Sequence, residues 1–265
     1  MHCFRQVAMG SLLLGVVGLA MGQVSEGSAA QRCSATQLAQ LGTQLGVSRF
    51  TQSEKGVVVS AACKVWPKDN GKTILAVGYS TAVETVKAIV VAVSETGSGK
   101  VISLYRNKVE EDAGTELHAS SLKIDTARYD LAPEVRAFAV DMESNGRGAS
   151  CPEGGSGATR TLFVQNGPAI RPVLESLALE DWQFVSGGPA MCNLGNAETV
   201  VENFPTSVGI SKATSNGFAD LVISIASKLD NAKKSKRQPF QYVLKYDGRQ
   251  YPTKEMERAY WKWRQ

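Results

Sequence analysis

GVVVSAACKVW (residues 56–66), TILAVGY (73–79), VKAIVVAVS (86–94) and KVISLYR (100–106) are four short runs rich in Val and Ile. Pro67-Lys68-Asp69-Asn70-Gly71 is a turn cluster separating the first pair, and Gly97-Ser98-Gly99 one separating the last. β-branched residues in runs of this length, punctuated by Gly, Pro and Asn, read as strands joined by hairpins. Further strands are expected at 121–125, 135–142 (VRAFAVDM), 160–165 (RTLFVQ), 169–175, 182–186 and 219–226 (ADLVISIA). In 135–142, Phe138, Val140 and Met142 face one way and Ala137, Ala139 and Asp141 the other, which predicts a half-buried strand. Gln165-Asn166-Gly167 marks another tight turn. The expectation is a mainly β chain: an antiparallel sandwich, barrel or propeller-like fold.

Two segments break this rhythm. Ser34-Ala35-Thr36-Gln37 fits a capping box, Leu38, Leu41 and Leu45 follow in one stripe, and Gly46 is a natural stop. That spacing predicts a short N-terminal helix over 35–45. At the other end, Phe240-Gln241-Tyr242-Val243-Leu244-Lys245-Tyr246 leads into Asp247-Gly248, and Arg249-Gln250-Tyr251 returns. Asp-Gly between such runs predicts a hairpin. Residues 253–264 (TKEMERAYWKWR) predict a helix with Met256, Tyr260 and Trp263 on one face, and 228–239 a solvated linker. The expected organisation is therefore an export signal over 1–22, a β domain over 23–227, and a basic aromatic hairpin–helix extension over 228–265.

The export signal rests on Arg5, the uncharged apolar run 7–20 (VAMGSLLLGVVGLA), and small residues Ala20 and Gly22 before Gln23; Ser28 and Ala30 frame a second cleavage position. The run is short for a membrane span, and no later segment reaches the roughly 20 apolar residues that one requires. The expected location is periplasmic or secreted. Cleavage would remove Cys3 and leave Cys33, Cys63, Cys151 and Cys192, an even number, which in an exported chain favours disulfides. Four cysteines allow three connectivities. Cys33–Cys63 and Cys151–Cys192 are favoured because each pair flanks a segment expected to fold back on itself.

Charge divides the chain. Residues 23–227 hold 17 Lys/Arg and 21 Asp/Glu, whereas residues 228–265 hold 11 and 4. The basic tail carries Lys245, Arg249, Tyr251, Arg258, Trp261 and Trp263 as candidate contacts to an anionic envelope polymer or lipid. Export argues against nucleic acid as its partner. The second candidate is the long connection 143–159 (ESNGRGASCPEGGSGAT), with Arg147, Ser150, Glu153 and Ser156 as partner-binding residues. A disulfide at Cys151 would pre-order it and so reduce the entropy lost on binding a protein.

Catalytic signatures are weak. His118 is the sole histidine after the signal, and no glycine-flanked nucleophile accompanies it. Glu110-Glu111-Asp112 are consecutive acids, whose side chains in a strand alternate between faces instead of converging. Gly97-Ser98-Gly99-Lys100 lacks the earlier glycine and following Ser or Thr of a phosphate loop. No two cysteines have metal-binding spacing. The expectation is a non-enzyme without cofactor or metal, the third alternative being a carboxylate-dependent hydrolase.

Leu122-Lys123-Ile124-Asp125-Thr126-Ala127-Arg128-Tyr129-Asp130-Leu131-Ala132-Pro133, running into Val135-Arg136-Ala137-Phe138, resembles a segment of exported β-rich bacterial proteins. Thr161-Leu162-Phe163-Val164, Arg171-Pro172-Val173-Leu174 and Tyr246-Asp247-Gly248-Arg249 are similar to the same group, some members of which resemble periplasmic lysozyme inhibitors and immunity proteins. The likeness covers residues 57–175 and 240–251. It implies a protein partner, a wall-degrading enzyme, for an inhibitor or immunity protein. The inhibitors' Ser-Gly-x-Tyr loop is not matched, since Ser156-Gly157-Ala158-Thr159 lacks the tyrosine, so no functional residue is carried over.

Overall fold

The structure is a computed structural model that describes residues 31–146, 148–188, 192, 198–231 and 235–265. The expected signal with both cleavage positions, Arg147, and Lys233-Lys234 of the linker lie outside the described residues. The chain is mainly β, as its alternation requires. Helix α1 (Ala35–Leu45) forms where the leucine stripe predicts, with both halves of the Ser34/Gln37 capping box made and Gly46 left-handed at its end.

Eight strands form a nearly closed, barrel-like sheet in the order β1-β2-β3-β4-β9-β8-β6-β5. They are β1 (Val58–Trp66), β2 (Asp69–Ser80), β3 (Val86–Glu95), β4 (Val101–Glu110), β5 (Leu122–Ala132), β6 (Val135–Met142), β8 (Thr159–Asn166) and β9 (Ala169–Ala178), with β7 (Gly154–Ser156) lying outside this sheet. All neighbours are antiparallel except β4 and β9, which meet parallel at Leu104 and Ala169. Across the opposite seam no ladder joins β1 to β5. Side chains bridge it instead: Ser60 Oγ accepts from the Leu122 amide at 3.1 Å, and the Gln31 carboxamide bonds both the N–H and the C=O of Ile124 at 2.8 Å.

A second sheet follows, in the order β14-β12-β11-β10-β7. It contains β10 (Glu180–Ser186), β11 (Val200–Ser215), β12 (Phe218–Ile225) and β14 (Phe240–Leu244), with β13 (Lys228–Leu229) added to β11. Helix α2 (Lys254–Arg264) ends the chain, burying Met256 and Tyr260 with Trp263 half-buried beside them.

Three apolar layers arise from period-2 alternation on the barrel strands. Ile74, Ala76, Ile89, Val91, Phe138, Val140 and Phe163 point into the barrel. Leu75, Val77, Val90 and Ala92 point outward and meet Leu38 and Leu41 of α1, whose start is tied to β1 by the Cys33–Cys63 disulfide. On the far side Ala137, Ala139, Leu162, Val164 and Leu174 point outward into a core shared with Phe204, Leu221, Ile223, Phe240 and Tyr260. Strand β6 therefore alternates as its sequence predicts but is covered on both faces instead of one. The second sheet supplies the cover.

Three local differences from expectation have physical causes. Strand β11, the longest, falls outside the expected strands; it contains Pro205 and Gly209 and shifts register between Ile210 and Thr214. The segment 228–239 is pinned as well as solvated: Lys228-Leu229 pairs with β11, and Ser235 and Arg237 bond Glu202. The Asp247-Gly248 turn forms, with Asp247 Oδ1 accepting from the amides of Arg249 and Gln250 at 2.7 Å. Beyond it the returning arm does not pair back on β14, which instead lies against β12. The amide of buried Tyr251 donates to Val173 O, and Arg171 holds Arg249 O and the Tyr246 hydroxyl, so the arm is drawn to the barrel.

Candidate functional site

A cleft of about 870 Å³ lies where the connection 143–159, the end of β10 and the end of α2 meet. The Cys151–Cys192 disulfide sits on its wall, joining the connection to the segment after β10. Strand β7 pairs Gly154, Gly155 and Ser156 with Gln183, Trp182 and Asp181. The close fit needs glycine: a Cβ on Gly155 would stand 2.8 Å from the Trp182 indole nitrogen.

Arg264, in the last turn of α2, organises the floor. It is buried (8% exposed), its Nε donates to Gln183 Oε1 at 3.0 Å and its Nη2 to Trp182 O at 2.8 Å. Asp181 Oδ2 lies 3.9 Å from Nη1, and Asp181 Oδ1 accepts from Ser156 Oγ. The guanidinium lies 4.9 Å from the ring centroids of both Phe204 and Trp261. Below it, Gln183 Nε2 donates to Glu202 Oε2 at 3.0 Å, and Arg237 Nε donates to Glu202 Oε1 at 3.2 Å. Burial would raise the Glu202 carboxyl, but hydrogen bonds from Ser227, Arg237 and Gln183 and the Arg237 charge hold it below the usual range. Burial and the neighbouring Asp181 carboxylate push the Tyr260 phenol up, so it stays neutral. A continuous polar chain, Ser156–Asp181–Arg264–Gln183–Glu202–Arg237, thus locks loop, sheet and helix together.

What the cleft displays is different from what fixes it. Trp261 is 54% exposed although its ring lies on the Arg264 guanidinium, and Glu153 and Ser156 are exposed across from it. A large aromatic held in place by a buried cation is suited to packing against another surface.

The structure brings together part of each expected contact set. Glu153 and Ser156 line the cleft with Trp261, and Ser150 lies beside it, its carbonyl near the Cys192 sulfur at 3.5 Å. Trp263 is half-buried, its indole N–H donating to Gln238 O at 2.9 Å. Tyr251 is in the core, its hydroxyl donating to Ala219 O at 2.6 Å, so it is not a surface contact. Lys245 and Arg249 are exposed but away from the cleft lining, and Arg258 is exposed and pairs with Glu255. Sequence reasoning missed Arg264, Gln183, Asp181 and Glu202. A signal existed for one: Val200, Glu202 and Phe204 alternate, placing a carboxylate in the buried register of an apolar strand.

The other polar groups have local roles. His118 Nδ1 lies 3.1 Å from Ser120 Oγ. Glu111 pairs with Lys87 at 2.6 Å and accepts the Leu117 amide at 2.9 Å. Gly97-Ser98-Gly99 forms the β3–β4 hairpin loop, Ser98 bonding Glu95. Arg160 forks onto Asp141 with two 2.7 Å bonds and reaches the Tyr129 hydroxyl at 2.7 Å, a brace across β5, β6 and β8. Among the described residues no group of three His, Cys, Asp or Glu is placed to hold a metal, and no helix is long and apolar enough to cross a membrane. Comparison with protein-family models, curated proteins and solved structures found no match.

Proposed function

We propose that this chain is an exported binding protein, an inhibitor or immunity protein whose partner is a wall-degrading enzyme, and that the partner seats in the cleft between residues 151–156 and Trp261. The observation that carries the reading is the convergence of the disulfide-tied loop and the tail helix on one surface, braced by Arg264 from beneath. Pre-ordering of that kind lowers the entropy cost of association, and Trp is among the residue types enriched at interface hot spots. Two disulfides in the fold support an oxidising compartment such as the periplasm.

The test is digestion of purified peptidoglycan by a set of wall hydrolases (a muramidase, an amidase and an endopeptidase) with and without the protein. At least one enzyme should be slowed, and Trp261→Ala should relieve the inhibition by tenfold or more while lowering the melting temperature by no more than a few degrees, the loss of its contact with Arg264. Unimpeded digestion by every enzyme would contradict the proposal. The exposed Lys245 and Arg249 support a second reading, an envelope adaptor attracted to anionic polymer or lipid. Retention of that kind is released by salt, because exposed charges are screened beyond about 10 Å at 0.1 M.

A further inference from the structure

The two disulfides sit in opposite surroundings. Cys33–Cys63 is enclosed: its cysteines are 9% and 4% exposed and belong to the layer that packs α1 onto the barrel. Cys151–Cys192 stands in the wall of the α2 cleft, with Cys151 exposed and Cys192 half-buried. A thiolate in solution reaches the second bridge without any opening of the fold, whereas apolar packing shields the first.

The exposed bridge also holds a piece of the cleft in place. Cys151, Pro152 and Glu153 line it in succession, and just beyond them the short ladder of β7 on β10 begins. The Phe184 amide donates to Glu153 O at 3.1 Å, extending that ladder by one bond toward the bridge. Gly154 then lies against α2, where a Cβ would stand 3.2 Å from Arg264 Nη2. Breaking the bridge frees the wall around Cys151 while the β7 ladder, the Ser156–Asp181 bond and the Arg264 anchors persist. The consequence is a local loosening, not unfolding.

We infer that Cys151–Cys192 is a thiol–disulfide exchange site, that its reductant is a dithiol, and that its redox state sets the order of the cleft wall. One thiolate of the dithiol attacks Cys151 Sγ, on the exposed side. The Cys151–Cys192 bond breaks, and Cys192 leaves as a thiolate that takes up a proton; Ser150 O, 3.5 Å away, accepts the new S–H. The second thiolate of the dithiol then attacks the donor sulfur of the mixed disulfide. Cys151 leaves, takes up a proton, and the donor closes into its own disulfide. Two electrons and two protons pass to the bridge. As a switch for a seated partner the site rests on the function proposed above; as a reaction of the chain it stands without it.

Dithiothreitol added in steps to the full chain, with iodoacetamide trapping and peptide mass spectrometry, reads the exchange. Cys151 and Cys192 should be labelled about a hundredfold faster than Cys33 and Cys63, in a protein that still melts cooperatively. Equal rates for the two pairs, or labelling of Cys151 and Cys192 only on unfolding, would overturn the proposal. Hydrogen exchange followed by NMR reads the wall. On selective reduction the Phe184 amide should exchange about tenfold faster while barrel amides keep their rates. An unchanged Phe184 rate would overturn control of the wall. Where a hydrolase is inhibited, the reduced protein and the Cys151→Ser, Cys192→Ser double variant should inhibit about tenfold less; equal inhibition by reduced and oxidised protein would overturn the switch. If the double variant does not fold, the reduced parent chain carries that comparison. If no hydrolase is inhibited, the labelling and Phe184 exchange still decide the site, so its failure and that of the proposed function are separate results.

Discussion

Glu202 is a carboxylate enclosed by donors, and that enclosure makes stability depend on pH in one direction. Its folded pKa lies below the ordinary value of 4.5, so the stabilisation is fully present above that value and is lost as pH falls through the folded pKa. Calorimetric melting temperatures should therefore decline on acidification below about pH 5, and Glu202→Gln should flatten part of that decline. Glu202→Ala, which leaves Arg237 and Gln183 facing a vacated buried site, should cost about 3–5 kcal/mol at neutral pH. A Glu202→Gln profile parallel to the parent's would show that the carboxylate is not the titrating group. At this scale the sequence was readable where alternation exposes an exception, as Glu202 does between Val200 and Phe204. Arg264 gave no such sign: at the end of a basic helix it resembles any solvated arginine, and its burial follows from Phe204 and Trp182, far away in the chain.

Secondary elements were legible in proportion to how local their causes are. Helix α1 follows from a capping box, a leucine stripe and a glycine stop, and strands β1 to β4 from β-branched runs with turn punctuation. Strand β11 was not legible locally: it is paired along its length with β10 and β12, and Pro205 and Gly209 lie within it. Gly42 shows the opposite conflict, between local propensity and packing. Alanine there would gain about 1 kcal/mol of helix propensity. Its Cβ, however, would stand 2.5 Å from Phe50 Cβ, and α1 cannot back away while Leu41 is buried against the barrel and Cys33 is tied to Cys63. Gly42→Ala should thus lower stability by about 1–2 kcal/mol in a urea titration, the lower part of the range for overpacked cores. A gain in midpoint would mean that α1 is loosely docked.

Over the whole molecule, the decisive fact is that one core serves the barrel and the second sheet together. Leu162 and Leu174 from the barrel, Leu221 and Ile223 from β12, Phe240 from β14 and Tyr260 from α2 belong to a single cluster. Loop 143–159 and the basic tail were each recognisable in the sequence as candidate contacts, but their adjacency was not, because it depends on long-range pairing of β14 with β12 and on the Cys151–Cys192 bridge. The residues that display the cleft were half legible; the polar chain that fixes it was not. If the tail completes this core, removing it uncovers Phe204, Leu221 and Ile223 and dismantles the wall that carries Trp261. Thermal unfolding of a chain ending at Ser227, followed by near-ultraviolet circular dichroism, is the sharpest test. Loss of a cooperative transition, with dye-accessible apolar surface at room temperature, is the expected result. A cooperative melt at the midpoint of the full-length protein would contradict it, and would return residues 228–265 to the status of a separate appendage.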